Sequence, residues 1–218
     1  MSGTQERSQQ KNIMHIATSS QLKKKRQGKK IHYFHDLREV VVDFDSDVIF
    51  GIEKFRTKIG NLFWKTISFL FGYPFFWTLI GVFYSFTFRM FHVGLVLIFA
   101  GLSSLIIFPL KERYRRRRPY DKHLALNPLT TQKDFSFPSG HTYYATVSAV
   151  SLALCYGGLL AFLLALSVGV LTGTSRIYLG VHYLSDVFVA FLLGIFVALI
   201  IRLIFPLLMI LHGYILLL

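Results

Sequence analysis

The chain has 218 residues, 53% hydrophobic and 16% charged, with a mean hydropathy of +0.50. A soluble domain of this length carries about a quarter charged residues, so the deficit argues against a water-soluble fold and for an integral membrane protein. The net charge of +13 crowds into residues 1–65 and 111–133, beside the apolar runs, which favours contact with phosphate at a membrane over nucleic-acid binding.

Residues 1–30 are rich in Gln, Ser and Lys and read as a disordered basic tail. The cluster Lys23-Lys24-Lys25-Arg26 with Lys29-Lys30 suits anionic lipid headgroups, or is simply a solvated tail. No apolar stretch there has the form of a cleavable signal peptide. Residues 31–60 mix apolar and charged positions, as in Val40-Val41-Val42-Asp43-Phe44-Asp45, and carry too many carboxylates to cross a bilayer. They are expected to form one or two amphipathic helices lying at the interface.

A membrane-embedded domain is expected over 61–218. The first span lies within 62–88, with Gly72-Tyr73-Pro74 as a kink or late start, and Arg89 closes it. A second runs from Met90 to Leu110, and a polar, basic loop follows over 111–140. The third runs from His141 to Tyr156-Gly157-Gly158, the fourth from Leu159 to Thr174, the fifth from Tyr183 to Phe205. Pro206 breaks the pattern, and the twelve apolar residues 207–218 are too short to cross unaided. The expected fold is therefore all-α: a polytopic transmembrane bundle of about five to six spans with amphipathic N-terminal helices. Small residues within the spans, such as Gly169, Gly173 and Gly194, let helices pack closely. The one cysteine, Cys155, sits in an apolar run and permits no intrachain disulfide.

Three strings carry chemistry. Lys111 and Arg118 are seven apart; on a helix they share a face, and Pro119 then stops it. Two cations so placed grip a phosphate, although a polybasic juxtamembrane loop also explains them. Pro138-Ser139-Gly140-His141 precedes an apolar helix, where backbone N–H groups favour anions and glycine admits close approach. A simple N-cap explains Ser139 but not the histidine opening a lipid-embedded helix. His182 and Asp186 are four apart, so the carboxylate can accept from one ring nitrogen and leave the other nucleophilic, with Arg176 six residues earlier. A buried structural His–Asp pair is the plainer alternative. Counting crossings places all three strings on one membrane face, where they can meet.

Lys111, Arg118 and Arg176 supply three positive charges to a phosphate monoester carrying up to two negative ones. Such a site needs no metal, and clustering cations around one would oppose its binding. His182 is then the nucleophile, Asp186 its partner, and His141 the acid for the leaving alkoxide and later the base for water. No cofactor is expected.

The order and spacing of these strings resemble the signature of the type 2 phosphatidic acid phosphatase superfamily: Lys-x6-Arg-Pro, Pro-Ser-Gly-His and Ser-Arg-x5-His-x3-Asp. Every specified position matches, over about residues 60–205. The resemblance implies a helical membrane bundle that hydrolyses lipid phosphates without metal through a phospho-histidine. It implies the same roles for His182, His141 and Asp186, and phosphate binding by Lys111, Arg118, Ser139, Gly140 and Arg176. Family substrates include phosphatidic acid, phosphatidylglycerophosphate, polyprenyl diphosphates and lipid A phosphates. The alternatives are a non-catalytic lipid-phosphate-binding membrane protein and a vanadate-dependent haloperoxidase, the latter disfavoured by the spans. Family members place the site on the extracytoplasmic or lumenal face, whereas the Lys23–Lys30 cluster, read by the positive-inside rule, places it in the cytoplasm.

Overall fold

The computed structural model of the protein describes residues 39–87 and 91–215, so the basic run Lys23–Lys30 lies outside the described residues. The chain divides into two compact units, Met1–Phe44 and Asp45–Leu218. Of the first, residues 39–44 are described and are helical. The second contains α1 (residues 45–53), α2 (Lys58–Gly72), α3 (Pro74–Thr87), α4 (Phe91–Ser103), α5 (Ile107–Tyr114), α6 (Pro119–Lys122), α7 (Gly140–Tyr156), α8 (Leu159–Tyr178) and α9 (Leu184–Ile215). Among the described residues there is no strand, as expected for an all-α fold.

Thr57 starts α2: its hydroxyl accepts from the Gly60 N–H at 3.0 Å, satisfying one of the free donors of the first turn. The bend expected at Gly72-Tyr73-Pro74 is present, as Lys58–Gly72 and Phe76–Phe83 meet at 53°. Proline removes one helical hydrogen bond there and crowds the preceding turn. A 3-10 turn, Ser104–Ile106, joins α4 to α5. Gly157 and Gly158, with φ of 75° and 91°, turn the chain from α7 into α8 through backbone angles that side chains disfavour.

Among the described residues, three stretches are long and apolar enough to cross a membrane, namely His92–Lys122, Leu159–Tyr178 and Leu184–Ile204; the bent α2–α3 pair makes a fourth if taken as one span. The remaining expected span is α7, whose 17 residues rise about 25 Å. It is the hub of the bundle, packing against α8 and α9 most extensively and also against α2 and α4. Burial on several sides explains its composition. Ala145, Ser148, Ala149, Ser151 and Ala153 are small and buried, which lets neighbouring backbones approach. Tyr143, Val147 and Val150 join Val93, Leu97 and Ala190 in the main core. Large apolar side chains face outward along α8 and α9, including Leu159, Leu160, Phe196 and Leu203. Such a surface belongs in lipid, and the protein is an integral membrane protein.

Two boundaries differ from expectation. Pro206 does not end the last helix, which continues to Ile215. In an apolar setting the loss of one backbone hydrogen bond does not unwind a long helix. Pro119 does not stop a helix carrying both Lys111 and Arg118. The helix ends earlier, at Tyr114, and Pro119 instead opens α6.

Candidate active site

The polar end of the bundle is assembled from the end of α5, the loop 123–139, the start of α7, and the turn between α8 and α9. Arg115 adopts left-handed backbone angles (φ 44°), and its N–H donates to the Lys111 carbonyl at 2.9 Å. Lys111 and Arg118 therefore do not share a helical face, yet they converge on Asp134. Lys111 Nζ donates to Asp134 Oδ2 at 2.5 Å and to the Phe135 carbonyl at 2.9 Å. Arg118 Nη2 donates to Asp134 Oδ1 at 2.5 Å, and its Nε to the Asp134 carbonyl at 2.8 Å. Both cations are buried, while half of the Asp134 side chain is exposed. Despite partial burial, Lys111 and Arg118 hold its carboxyl down at about 2. Asp134 thus rests between two of the cations expected to bind phosphate.

His182 is fully buried in the turn before α9, not on the helix. Arg118 Nη1 lies 3.2 Å from its Nε2 and donates to the Val181 carbonyl at 2.7 Å. An arginine only donates, so this contact selects the tautomer with an unprotonated Nε2 and the proton on Nδ1. The imidazole is held neutral: burial, then Arg118, Arg176 and Lys111, push its pKa well below the ordinary histidine value.

The expected His182–Asp186 hydrogen bond is looser than a direct one, with Nδ1 3.7 Å from Oδ2. The Ser136 hydroxyl lies between them, donating to Asp186 Oδ2 at 2.5 Å and lying 3.5 Å from Nδ1. Asp186 Oδ2 also accepts the Tyr183 N–H at 3.0 Å, and Oδ1 accepts from Arg116 Nη1 at 2.6 Å. Arg116 in turn donates from Nη2 to Asp45 Oδ2 at 2.7 Å, and its guanidinium lies over the Tyr183 ring, 4.1 Å from the centroid. Asp45 accepts the Ser185 N–H at 2.9 Å. Two carboxylates and one guanidinium therefore fix the first turn of α9 and the orientation of Asp186, and the helix start itself favours the negative charge.

At the start of α7, Ser139 makes no helix cap. Its hydroxyl is buried against Thr142 Oγ1 at 2.9 Å, and its N–H donates to the Asp186 carbonyl at 3.2 Å. The nearest side chain to a β-carbon at Gly140 would be Ile107 at 3.8 Å, so packing does not require glycine there. His141 stacks edge-on against Tyr73, with centroids 4.8 Å apart, and its Nε2 is buried without a protein partner. Arg176 is 2% exposed; Nη1 donates to Ser68 Oγ at 2.6 Å, while Nε and Nη2 have no protein partner. Buried nitrogens without partners are rare and mark a place for a ligand.

The structure thus brings Lys111, Arg118, Ser139, His141, Arg176, His182 and Asp186 to one end of the bundle. Sequence reasoning missed Ser136, Arg116, Asp45, Asp134, Ser68 and Tyr73. Ser136, two residues before Pro138, lay closest to a recognised string. The others carried no signal of their own.

Two solved structures share the fold. One is a transmembrane PAP2-type phosphatidylglycerolphosphate phosphatase from Bacillus subtilis, 28% identical with a TM-score of 0.65, covering 75% of this chain and 85% of that one. The other is LpxE from Aquifex aeolicus, 27% identical with a TM-score of 0.63, covering 71% and 92% respectively. In sequence the chain is similar to phosphatidylglycerophosphatase B of Bacillus subtilis (34% identity over 110 residues, 46% of this chain and 52% of that one). It is also similar to decaprenylphosphoryl-5-phosphoribose phosphatase of Mycobacterium tuberculosis (37% over 95 residues, 44% and 51%). The chain spans about half the length of these curated relatives. The sequence pattern of the PAP2 superfamily matches residues 89–210, which is more than half of the 218 and includes all three strings. By fold, by motif and by the extent of that match, the chain belongs to the PAP2 superfamily.

Proposed function

We propose that the protein is a membrane phosphatase that hydrolyses a lipid phosphate ester through a phospho-histidine on His182. The observation that carries this is the Arg118–His182 contact, which leaves a neutral imidazole with its Nε2 lone pair beside the phosphate-binding cations. Nε2 attacks phosphorus as the ester P–O bond breaks, and protonated His141 gives its proton to the departing alkoxide. A bound dianion offsets the cations around His141 and so favours its protonated form. The resulting positive imidazole is stabilised by Asp186 through Ser136. His141, now neutral, takes a proton from water, which attacks the phospho-histidine; phosphate leaves and neutral His182 returns. Lys111, Arg118 and Arg176 stabilise the charge on the equatorial oxygens, with Ser139 and Gly140 at the helix start nearby.

The activities of the relatives support the same class: phosphatidylglycerophosphatase and decaprenylphosphoryl-5-phosphoribose phosphatase. The site is assigned to the extracytoplasmic or lumenal face, following the family, and Lys23–Lys30 to anionic lipid headgroups. Purified protein should release phosphate from lipid phosphates, and His182→Ala should lower turnover by about a thousandfold or more. A brief quench with radiolabelled substrate should trap acid-labile, base-stable label on wild-type protein. Full activity of His182→Ala would remove the mechanism. Tight lipid-phosphate binding with no hydrolysis across a broad panel would favour the non-catalytic alternative.

A further inference from the structure

At the end of the bundle away from the site, a cavity of about 160 Å³ opens between α4, α7 and α9. Each helix gives it two residues four apart, which share one helical face: His92 and Val96 of α4, Ser151 and Cys155 of α7, Ala198 and Arg202 of α9. The cavity is remote from the reaction, because Cys155 stands about 21 Å along α7 from His141. Val96 and Ala198 are buried, whereas His92 and Arg202 are exposed and mark the open side.

Packing does not explain two of these residues. Ser151 is 2% exposed and borders the space, yet its hydroxyl has no partner in the protein. A buried hydroxyl left so costs free energy, and a helix needing only a small residue there could carry alanine, as at Ala149 and Ala153. Arg202 is a permanent cation within an apolar helix, near the end of the membrane-crossing stretch Leu184–Ile204. α4 and α7 contain no Asp or Glu, and the one in α9, Asp186, lies about 24 Å away along the axis. No carboxylate of the three walls therefore neutralises Arg202.

The polar groups at the cavity are donors. The guanidinium and the Ser151 hydroxyl donate, and the His92 ring carries at least one N–H in either protonation state. Their position near the end of a span is the level of the lipid headgroups. A phosphodiester supplies the matching single negative charge and several acceptor oxygens. Lipid chains attached to it would run along Leu199 and Leu203, which are exposed on α9. A zwitterionic headgroup would bring an ammonium that these walls have no carboxylate to receive.

We infer that this cavity binds an anionic glycerophospholipid from the leaflet opposite the active site, with its phosphate on Arg202 and Ser151. This lipid is not a substrate, since it is held far from His141 and His182. It ties α4 and α9 to α7, the helix whose other end carries His141.

The test uses the full chain in detergent, supplemented with phosphatidylglycerol, which is anionic, or phosphatidylcholine, which is zwitterionic. Occupancy is read at the cavity itself, as the rate at which N-ethylmaleimide alkylates Cys155, the one cysteine of the chain. Phosphatidylglycerol should slow alkylation by about tenfold, the effect of a charge-assisted contact, and phosphatidylcholine by less than about twofold. Arg202→Gln and Ser151→Ala should each remove most of the protection, and Arg202→Lys should keep it. Ser151→Ala should leave Tm unchanged in lipid-free detergent, because the hydroxyl has no protein partner to lose. Equal protection by both lipids, or protection that survives Arg202→Gln, overturns the inference and leaves Arg202 as a residue that only reaches the headgroup layer. Equal protection by inorganic phosphate or by glycerophosphoglycerol, the headgroup without chains, overturns the lipid as occupant in favour of a free anion. Lipid retention by native mass spectrometry gives a second reading: wild type should retain more phosphatidylglycerol than Arg202→Gln, and equal retention overturns the inference even if Cys155 is unreactive. His182→Ala protein should behave as wild type in every arm, so the result stands apart from the phosphatase reading.

Discussion

Arg115 shows how one residue redirects a site. Four arginines stand in a row, and the spacing of Lys111 and Arg118 suggests a helix continuing to Pro119. The left-handed turn at Arg115 ends that helix and sends Arg116 to Asp186 and Asp45, while Arg118 goes to Asp134 and His182. Periodicity cannot distinguish Arg116 from its neighbours, because backbone geometry and distant carboxylates decide its direction. The motif positions were legible because their residue types are costly at span ends; their supporting partners were not. Removing Arg116 leaves Asp45 and Asp186 buried and unpaired, so Arg116→Ala should destabilise the protein by about 3 kcal/mol. Thermal unfolding in detergent would read this as a clear drop in Tm, together with lost activity.

Asp134 and His182 give two further residue-scale predictions. If Lys111 and Arg118 bind phosphate as proposed, Asp134 competes with it for them, so Asp134→Asn should tighten inhibition by inorganic phosphate roughly fivefold, in line with the ~1 kcal/mol of a half-exposed ion pair. Its carboxyl is held at about 2, below the ordinary value. The pairing is complete above the ordinary carboxylate range and is lost only as the pH falls through about 2. The competition should therefore be constant across neutral pH. In the proposed mechanism His182 acts as the free base, and its pKa is lowered, so it should stay competent as pH falls below the ordinary histidine value of about 6.5. The acid limb of kcat/KM attributable to it should lie below that pH. Replacing Arg118 with Gln removes a cause of the lowering and should move that limb to higher pH.

Among the elements, α7 links packing to chemistry. Ser139 immediately precedes it and His141 lies in its first turn, and its middle is clamped by glycines on its neighbours. A β-carbon at Gly194 of α9 would fall 2.8 Å from Thr146 Cβ and 3.1 Å from the Tyr143 carbonyl. Gly194→Ala should therefore push α9 from α7 and destabilise by about 1–3 kcal/mol, measurable as lower Tm. At Gly72 the clash is with the His141 ring itself, 2.5 Å from the added carbon. Gly72→Ala should lower kcat more than it raises KM, because the proposed acid, His141, is displaced while the proposed phosphate-binding cations are not. Helix existence was legible from apolar run length. The persistence of α9 through Pro206 was not, because a proline signals a break by rules learned in water, where freed carbonyls find other partners.

For the whole molecule, the convergence of the three strings followed from counting crossings, and the structure places them together. Sidedness is a separate property. Leu124 lies in the loop on the site's side and is 94% exposed. With Cys155 replaced by Ser, a cysteine at position 124 should react with a membrane-impermeant maleimide in intact cells if the site faces outward. Protection until lysis would place the site in the cytoplasm.

Asp45 sets a limit on how far this chain can be trimmed. It lies well upstream of the family-matching stretch 89–210, yet it holds the guanidinium that orients Asp186 and the backbone that opens α9. A chain trimmed to the shared stretch would keep every motif residue and lose that brace. It should fold less stably and turn over more slowly. The family signature lies within 89–210, while a residue outside that stretch helps hold the motif residues in place.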